Sequence, residues 1–364
     1  MRLRVIDRGF VSARLSQALW YGIAARMRAG DDPVLTLLNP VDPYVCTGFH
    51  QDVRLEVDQD YCVGHGIAVL RRRLGGGAVY LDRNQLIFHF MFPRAWAPSR
   101  AGELYPYFIE PVVRTYRELG IAAAYRPVND IQVDGRKIGG TAAALLDEAT
   151  VLGGMFLFDF DTATMARCLR VPSEKFRDKL HKSLEDYVTS MRRLLPSVPT
   201  RDTVKTAFLR HVAACFGVTP EPSDTRADEE AEVAAEVAVL GDPVWTLEVG
   251  RKFVPQGVKL AADTFLTEGA YKAPGGLIRV RLLAREDTIV DLEFSGDFSC
   301  EPSSGIVALA DRLKGERLRG AALVEAIARA IAELDLELPG VSAPDVAAAL
   351  DASRHPGEDA SAHT

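Results

Sequence analysis

The run 86–92 leaves a chain little choice of fold, because it has no polar face. Leu86, Phe88, Phe90 and Phe92 point to one side of an extended backbone, and Ile87, His89 and Met91 to the other. Such a strand belongs in the middle of a sheet covered on both faces. The covering layers are predicted as helices. Residues 12–28 carry Leu15, Leu19, Ile23 and Met27 at helical spacing behind a Ser12 cap, with Gly30 beyond the end. Further helices are predicted over 104–119, 162–169, 174–195 and 201–216. Short β patterns at 34–38, 44–48 and 67–71 alternate with them. The expected class is therefore α+β, a mixed or antiparallel sheet sandwiched by helices.

At 364 residues the chain exceeds the roughly 250–300 at which single cores stop growing, so two domains are expected. Between 219 and 236 the composition turns to Pro, Asp, Glu and Ala without an aromatic residue, which marks a linker or an exposed helical spacer. The expected division is a catalytic domain at 1–220, a linker at 221–241, an accessory domain at 242–352 and a disordered tail at 353–364. The accessory domain is a smaller α+β unit, with a hairpin at 278–294 around Arg285-Glu286-Asp287 and helices at 306–313 and 321–334.

A net charge of −7 supplies no general attraction for nucleic acid. No apolar run approaches the roughly 18 residues needed to cross a bilayer, and Arg14 and Gln17 interrupt the N-terminal stretch before it could serve as a leader. A cytoplasmic protein without membrane or nucleic-acid partners is expected. Cys46, Cys62, Cys168, Cys215 and Cys300 are odd in number and lack a CxxC, which indicates neither a disulfide framework nor a cysteine zinc site.

Two segments carry chemistry. Arg71-Arg72-Arg73-Leu74-Gly75-Gly76-Gly77-Ala78-Val79-Tyr80 sets three guanidinium groups before glycines whose backbone can lie against an anion. The competing reading is a glycine-rich hairpin with its arginines in solvent. About fifty residues on, Asp134-Gly135 between Ile-Gln-Val and Arg-Lys-Ile signals a two-residue hairpin. Regular register pairs Val133 with Arg136, Gln132 with Lys137, Ile131 with Ile138 and Asp130 with Gly139. Asp130, Gln132 and Lys137 then share one face, and Ile131, Val133 and Ile138 the other. An ammonium there suits a phosphoryl group, and a carboxylate suits Mg²⁺. Taken alone, the same pair also reads as a surface ion pair.

Together the two segments resemble lipoate-protein ligases of the lipoate/biotin ligase superfamily: Arg71-Arg72-x-x-Gly75-Gly76-Gly77-Ala78-Val79, then Asn129-Asp130-x-x-Val133-Asp134-Gly135-Arg136-Lys137-Ile138-Gly139-Gly140. The resemblance extends through Pro43–Gln51, Leu152-Gly153-Gly154 and 175–194, and Phe294-Ser295-Gly296-Asp297-Phe298 resembles the accessory domain found in many of these ligases. It implies ATP-dependent activation of lipoate or octanoate to an acyl-adenylate, with Mg²⁺, and transfer to a lysine of a lipoyl-accepting carrier, such as the E2 component of a 2-oxoacid dehydrogenase or glycine cleavage H protein. It assigns Lys137 to the acyl carbonyl and phosphate. Arg72, Gly75, Gly76, Gly77, Val79, Tyr80, Asn129, Asp130, Gly139 and Thr141 line the adenylate, with Asp130 the candidate for the metal. Leu74 and Leu81 depart from the family pattern, which has serine or threonine and histidine there.

The rivals are an octanoyltransferase or amidotransferase of the same fold working without ATP, a biotin ligase, and a noncatalytic adenylate-binding scaffold. Transferases of this family form a thioester on a cysteine that they place about fifteen residues before the lysine, and the resemblance puts Ala122 at that position, with no cysteine between Cys62 and Cys168. Cys46 and His89 read as buried structural residues, His50 as an exposed residue in preference to one bordering the acyl pocket, and Asp82 equally as a cap or turn former or as a catalyst, outside the catalytic set. Lys175, Arg177, Lys179 and Lys182 read either as a basic surface for an acidic carrier or as a solvated helix face.

Overall fold

A computed structural model describes residues 1–98, 100–171, 173–247, 259–261, 264–318 and 320–353. The chain divides into two units. The first holds Met1–Thr47, Val53–Leu74 and Ala78–Leu247. The second holds Gly48–Asp52, Gly75–Gly77 and the described residues after Leu247.

The first unit contains β1 (Arg2–Val11), α1 (Ala13–Ala25), β2 (Val34–Pro40), β3 (Tyr44–Thr47), α2 (Val53–Glu56), α3 (Gln59–Gly64), β4 (Ala68–Arg71), β5 (Val79–Leu81) and β6 (Gln85–Pro93). It continues with α4 (Ala101–Glu118), β7 (Ala124–Arg126), β8 (Asp130–Val133), β9 (Arg136–Leu146), β10 (Ala149–Leu157), α5 (Thr162–Cys168), α6 (Glu174–Tyr187), α7 (Met191–Leu194), α8 (Arg201–Phe216), β11 (Thr219–Pro222), α9 (Ala227–Gly241) and α10 (Pro243–Leu247).

Its main sheet is mixed and eight-stranded, in the order β11-β1-β2-β6-β10-β9-β8-β7. The two apolar faces of β6 find separate cores. Leu86, Phe88, Phe90 and Phe92 pack with Phe108 and Val112 of α4 and Phe208 of α8. Ile87 and Met91 pack with Leu19 and Ile23 of α1 and Val233 of α9. His89 accepts its place there by pairing Nδ1 with Thr36 Oγ1 at 3.1 Å and stacking on Trp20, and burial pushes its pKa down to about 3. It is a core histidine. A small sheet, β4-β3-β5, lies beside the main one.

Residues 221–241 are not a linker. They complete β11 and form α9, which packs along α1, and the first unit continues to Leu247. The buried positions of α9 are Glu229, Val233, Glu236 and Leu240, a helical stripe in which half the members are carboxylates. Each carboxylate meets an arginine from elsewhere in the unit. Arg4 of β1 grips Glu229 with bonds of 2.7 and 2.9 Å, and Arg73 grips Glu236 with two of 2.9 Å. The predicted 174–195 helix is two helices, α6 and α7, broken at 188–190.

The second unit has a four-stranded antiparallel sheet, β12 (Lys259–Ala261), β13 (Thr264–Ala273), β14 (Gly276–Arg285) and β15 (Thr288–Gly296), with α11 (Gly305–Arg312), α12 (Ala321–Glu333) and α13 (Ala343–Ala352). Ile278, Val280, Leu282 and Phe294 meet Leu309, Ile327 and Leu350 in its core. The expected tail begins one residue too early: Ser353 is buried and donates to Leu350 O, and 354–364 lie outside the described residues. Among the described residues no helix is long and apolar enough to cross a membrane.

Glu229→Ala leaves the Arg4 guanidinium buried without its carboxylate, which costs roughly 3–5 kcal/mol. Urea unfolding followed by circular dichroism is expected to show that loss, and a change below about 1 kcal/mol would contradict the role given to the pair.

Candidate functional site

The β8–β9 hairpin is built around Asp134 and Gly135, both at positive φ (49° and 78°), the backbone that a tight two-residue turn needs. Val133 faces Arg136 and Gln132 faces Lys137, as the regular register requires. Beyond them the register shifts: Ile131 faces Gly139 and Asp130 faces Gly140, with Ile138 as the extra residue. This corrects the regular pairing expected for Asp130 and Ile131. The polar face nevertheless forms. Lys137 Nζ lies 2.6 Å from Asp130 Oδ1, with the lysine about one-third and the aspartate about one-sixth exposed.

Glycine opens the space that Lys137 occupies. A Cβ on Gly140 would stand 2.9 Å from Lys137 Cε and Nζ, and one on Gly139 would stand 3.2 Å from Met155 O. Asn129 and Thr141 latch the open end of the hairpin. Asn129 Nδ2 donates to Thr141 O at 2.7 Å, and Thr141 returns bonds to Asn129 O from its N–H at 3.0 Å and from Oγ1 at 2.9 Å. Their polar atoms thus fix the backbone at the open end of the hairpin, next to Asp130.

A residue that the sequence did not single out completes the group. Tyr187, the last residue of α6, donates its hydroxyl to Asp130 Oδ2 at 2.7 Å. Burial, followed by the bond to Asp130, raises its pKa to about 12, so the phenol keeps its proton. Both oxygens of Asp130 are engaged, one by an ammonium and one by a phenol. Among the described residues there is no cluster of three or more His, Cys, Asp or Glu that could hold a metal. The sequence clue to Tyr187 was an aromatic residue at the end of a helix rich in charged residues.

The arginine run divides its labour. Arg71 donates to Trp245 O at 2.8 and 2.6 Å and lies over the Trp245 ring, and Arg73 stacks on its other neighbours, Trp245 and Tyr21, while holding Glu236. These two arginines tie α9 and α10 to β4. Arg72 is half-buried and donates to Cys46 O at 3.0 Å. Leu74 and Leu81 are core residues, Leu74 lying near Gly153 of β10, where a Cβ would come within 3.2 Å of it. Their departure from the family pattern is thus a packing choice. Val79 packs at the margin of the same core. The Tyr80 ring is buried with Val45, Cys62 and Cys168.

Gly75, Gly76 and Gly77 belong to the second unit, where a Cβ on Gly75 would stand 2.8 Å from Ser299 Oγ, and Gly76 N–H donates to Phe298 O at 3.4 Å. His50 of the same unit is buried and stacked on Phe298 at 5.0 Å, not exposed as expected. Asp82 is a turn former, accepting from Asn84 N–H at 2.7 Å. Cys46 is buried, and burial raises its thiol pKa against the opposing pull of Arg72.

The basic run on α6 is smaller than expected, since Arg177 is buried and donates to the carbonyls of Ala166, Arg167 and Leu169. Lys179 and Lys182 remain outward, lining with Ser183, Asp186 and Tyr187 an open concavity of about 460 Å³.

The chain is 27% identical over 256 residues to lipoate-protein ligase LplJ of Bacillus subtilis, covering 70% of this chain and 73% of that one. It is 26% identical to the octanoyltransferase LipM of Kyrpidia tusciae, covering 62% and 91%. In structure it is similar to a bipartite lipoate protein ligase of Thermoplasma acidophilum, from an archaeal lipoylation system that includes its E2 lipoyl domain, with a TM-score of 0.65, 27% identity and coverage of 70% and 100%. The family model of the lipoyl protein ligase A/B catalytic domain matches residues 13–213, more than half of the chain and the whole β8–β9 hairpin with it. On that match the chain belongs to the lipoyl protein ligase A/B catalytic domain family.

Proposed function

We propose that this protein is a lipoate-protein ligase that activates lipoate or octanoate as its adenylate and delivers the acyl group to a lysine of a lipoyl-accepting domain. The observation that carries the reading is Lys137 held at 2.6 Å by Asp130 on the polar face of the hairpin. In the first step the substrate carboxylate attacks the α-phosphate of ATP, which brings its own Mg²⁺, and pyrophosphate leaves. Lys137 meets the charge that grows on the phosphoryl oxygens, with Arg72 as a second cation. In the second step an acceptor lysine attacks the acyl carbonyl, the acyl–phosphate bond breaks, and AMP leaves with the electron pair.

The ATP-independent alternative, octanoyl transfer through a cysteine thioester, has support in the likeness to LipM. It needs an accessible thiolate. Among the five cysteines, Cys46, Cys168, Cys215 and Cys300 have thiols raised by their surroundings, by burial above all except in Cys168, where the thiol of Cys62 acts first. Cys62 is lowered through that same contact and is fully buried. This favours adenylation. The carrier is proposed to be a lipoyl domain, as in the archaeal system to which the chain is similar.

Incubation with ATP, Mg²⁺ and lipoate, followed by mass spectrometry, is expected to yield lipoyl-AMP and pyrophosphate; acyl transfer from an acyl-protein donor without ATP would instead establish the transferase. Lys137→Ala is expected to lower the adenylation rate on the order of 10²-fold or more, and unchanged turnover would remove Lys137 from the mechanism. Gly140→Ala displaces the flexible end of Lys137 rather than backbone, so a loss of about tenfold to a hundredfold in rate is expected with little change in Tm. If Lys182 steers an acidic carrier, Lys182→Glu slows its association and flattens the salt dependence, which stopped-flow measurement at two ionic strengths reads directly.

A further inference from the structure

We propose that Tyr187 is a positioning residue for Lys137, acting through the second oxygen of Asp130. This rests on the ligase reading of the same site. An aspartate carboxylate held at one oxygen can still turn about its Cβ–Cγ bond, and its partner ammonium turns with it. Held at both, it becomes a fixed bracket. Here Tyr187 Oη donates to Oδ2 at 2.7 Å while Lys137 Nζ holds Oδ1 at 2.6 Å, so the phenol sets the plane in which the lysine is presented.

The position of the phenol is itself determined by the hairpin. Arg136, beside Lys137 in β9, donates through Nη2 to Glu185 O at 2.8 Å and Val188 O at 3.2 Å, on either side of Tyr187. Thr189 N–H donates to Lys137 O at 2.8 Å, and Lys137 and Val188 form an isolated parallel bridge. The C-terminal turn of α6 is thereby fastened to the backbone of the residue whose side chain it orients. Tyr187 is 39% exposed and contributes no core packing, so a role confined to stability gives no reason for its hydroxyl to point at Asp130. It also lines the concavity with Lys179 and Lys182, which makes it the link between the outer face of α6 and the Lys137–Asp130 pair.

The test is a double-mutant cycle of Tyr187→Phe and Asp130→Asn, read as kcat and KM for adenylation with Tm as control. Tyr187→Phe is expected to lower kcat about 5- to 20-fold, with KM for ATP and lipoate within about twofold and Tm within about 1 °C. In the Asp130→Asn background the same change is expected to have almost no further effect, since the bracket is already gone. Multiplying effects, or no effect of Tyr187→Phe alone, would overturn the proposal. If the wild type forms no adenylate but transfers an acyl group, the ligase reading fails while the cycle is run on transfer with the same criteria. A readout without turnover covers the remaining case: in an NMR titration of ring-labelled Tyr187 the pKa is expected to fall in Asp130→Asn, while the larger part of its elevation, which comes from burial, stays, and an unmoved titration would show that the bond is absent.

Discussion

Strand β6 has no face that tolerates water, and the first unit is arranged around that constraint. A strand carrying Phe88, Phe90 and Phe92 on one side and Ile87 and Met91 on the other requires two helical layers. Helices α4 and α8 supply one. The other cannot be supplied by α1 alone, because the 13 residues of α1 cover only part of an eight-stranded sheet. Helix α9 fills that place, which is why the first unit does not end at 220 but runs on to Leu247.

What could be read in advance follows from whether a signal is local. The faces of β6, the Ser12-capped helix and the turn at Asp134-Gly135 each depend on residues within one element, and each appears where expected. Helix α9 was hidden because its inward stripe reads Glu229, Val233, Glu236, Leu240, which by hydrophobic pattern alone looks solvated. Only Arg4 and Arg73, more than 160 residues distant, turn those carboxylates into core residues. Strand β1 was missed for the reciprocal reason: its arginines disguise a buried strand. Ser12, by contrast, needs nothing beyond Leu15 N–H.

The site shows the same division. That Lys137 and Asp130 share a face was legible from the alternation of a hairpin, and the one-residue bulge at Ile138 altered the register without separating them. That Arg71 and Arg73 would be taken by Trp245 and Glu236 was not legible, since sequence cannot distinguish a guanidinium waiting for an anion from one already paired. Tyr187 belongs to this class too. Its significance depends on where the end of α6 is fastened, which is decided by Arg136 and Thr189 rather than by anything in the helix pattern.

On the proposed reading Lys137 awaits a transient anion, and such an ammonium faces a difficulty before that anion arrives. Left in water, a lysine side chain keeps roughly 2 kcal/mol of rotamer entropy that it loses on binding. Buried against a carboxylate, it would be held too firmly to exchange. The pair here lies between these limits. With Lys137 about one-third exposed, its bond to Asp130 is of the partly screened kind that contributes on the order of 1 kcal/mol or less, enough to select a rotamer and little enough to be exchanged for phosphate. The space beside Gly140 gives the chain room to make that exchange without moving backbone. A carboxylate bracketed on its far side by Tyr187 has a second tie that does not depend on the lysine, so under the proposed function it keeps its own place when the lysine turns to the phosphate.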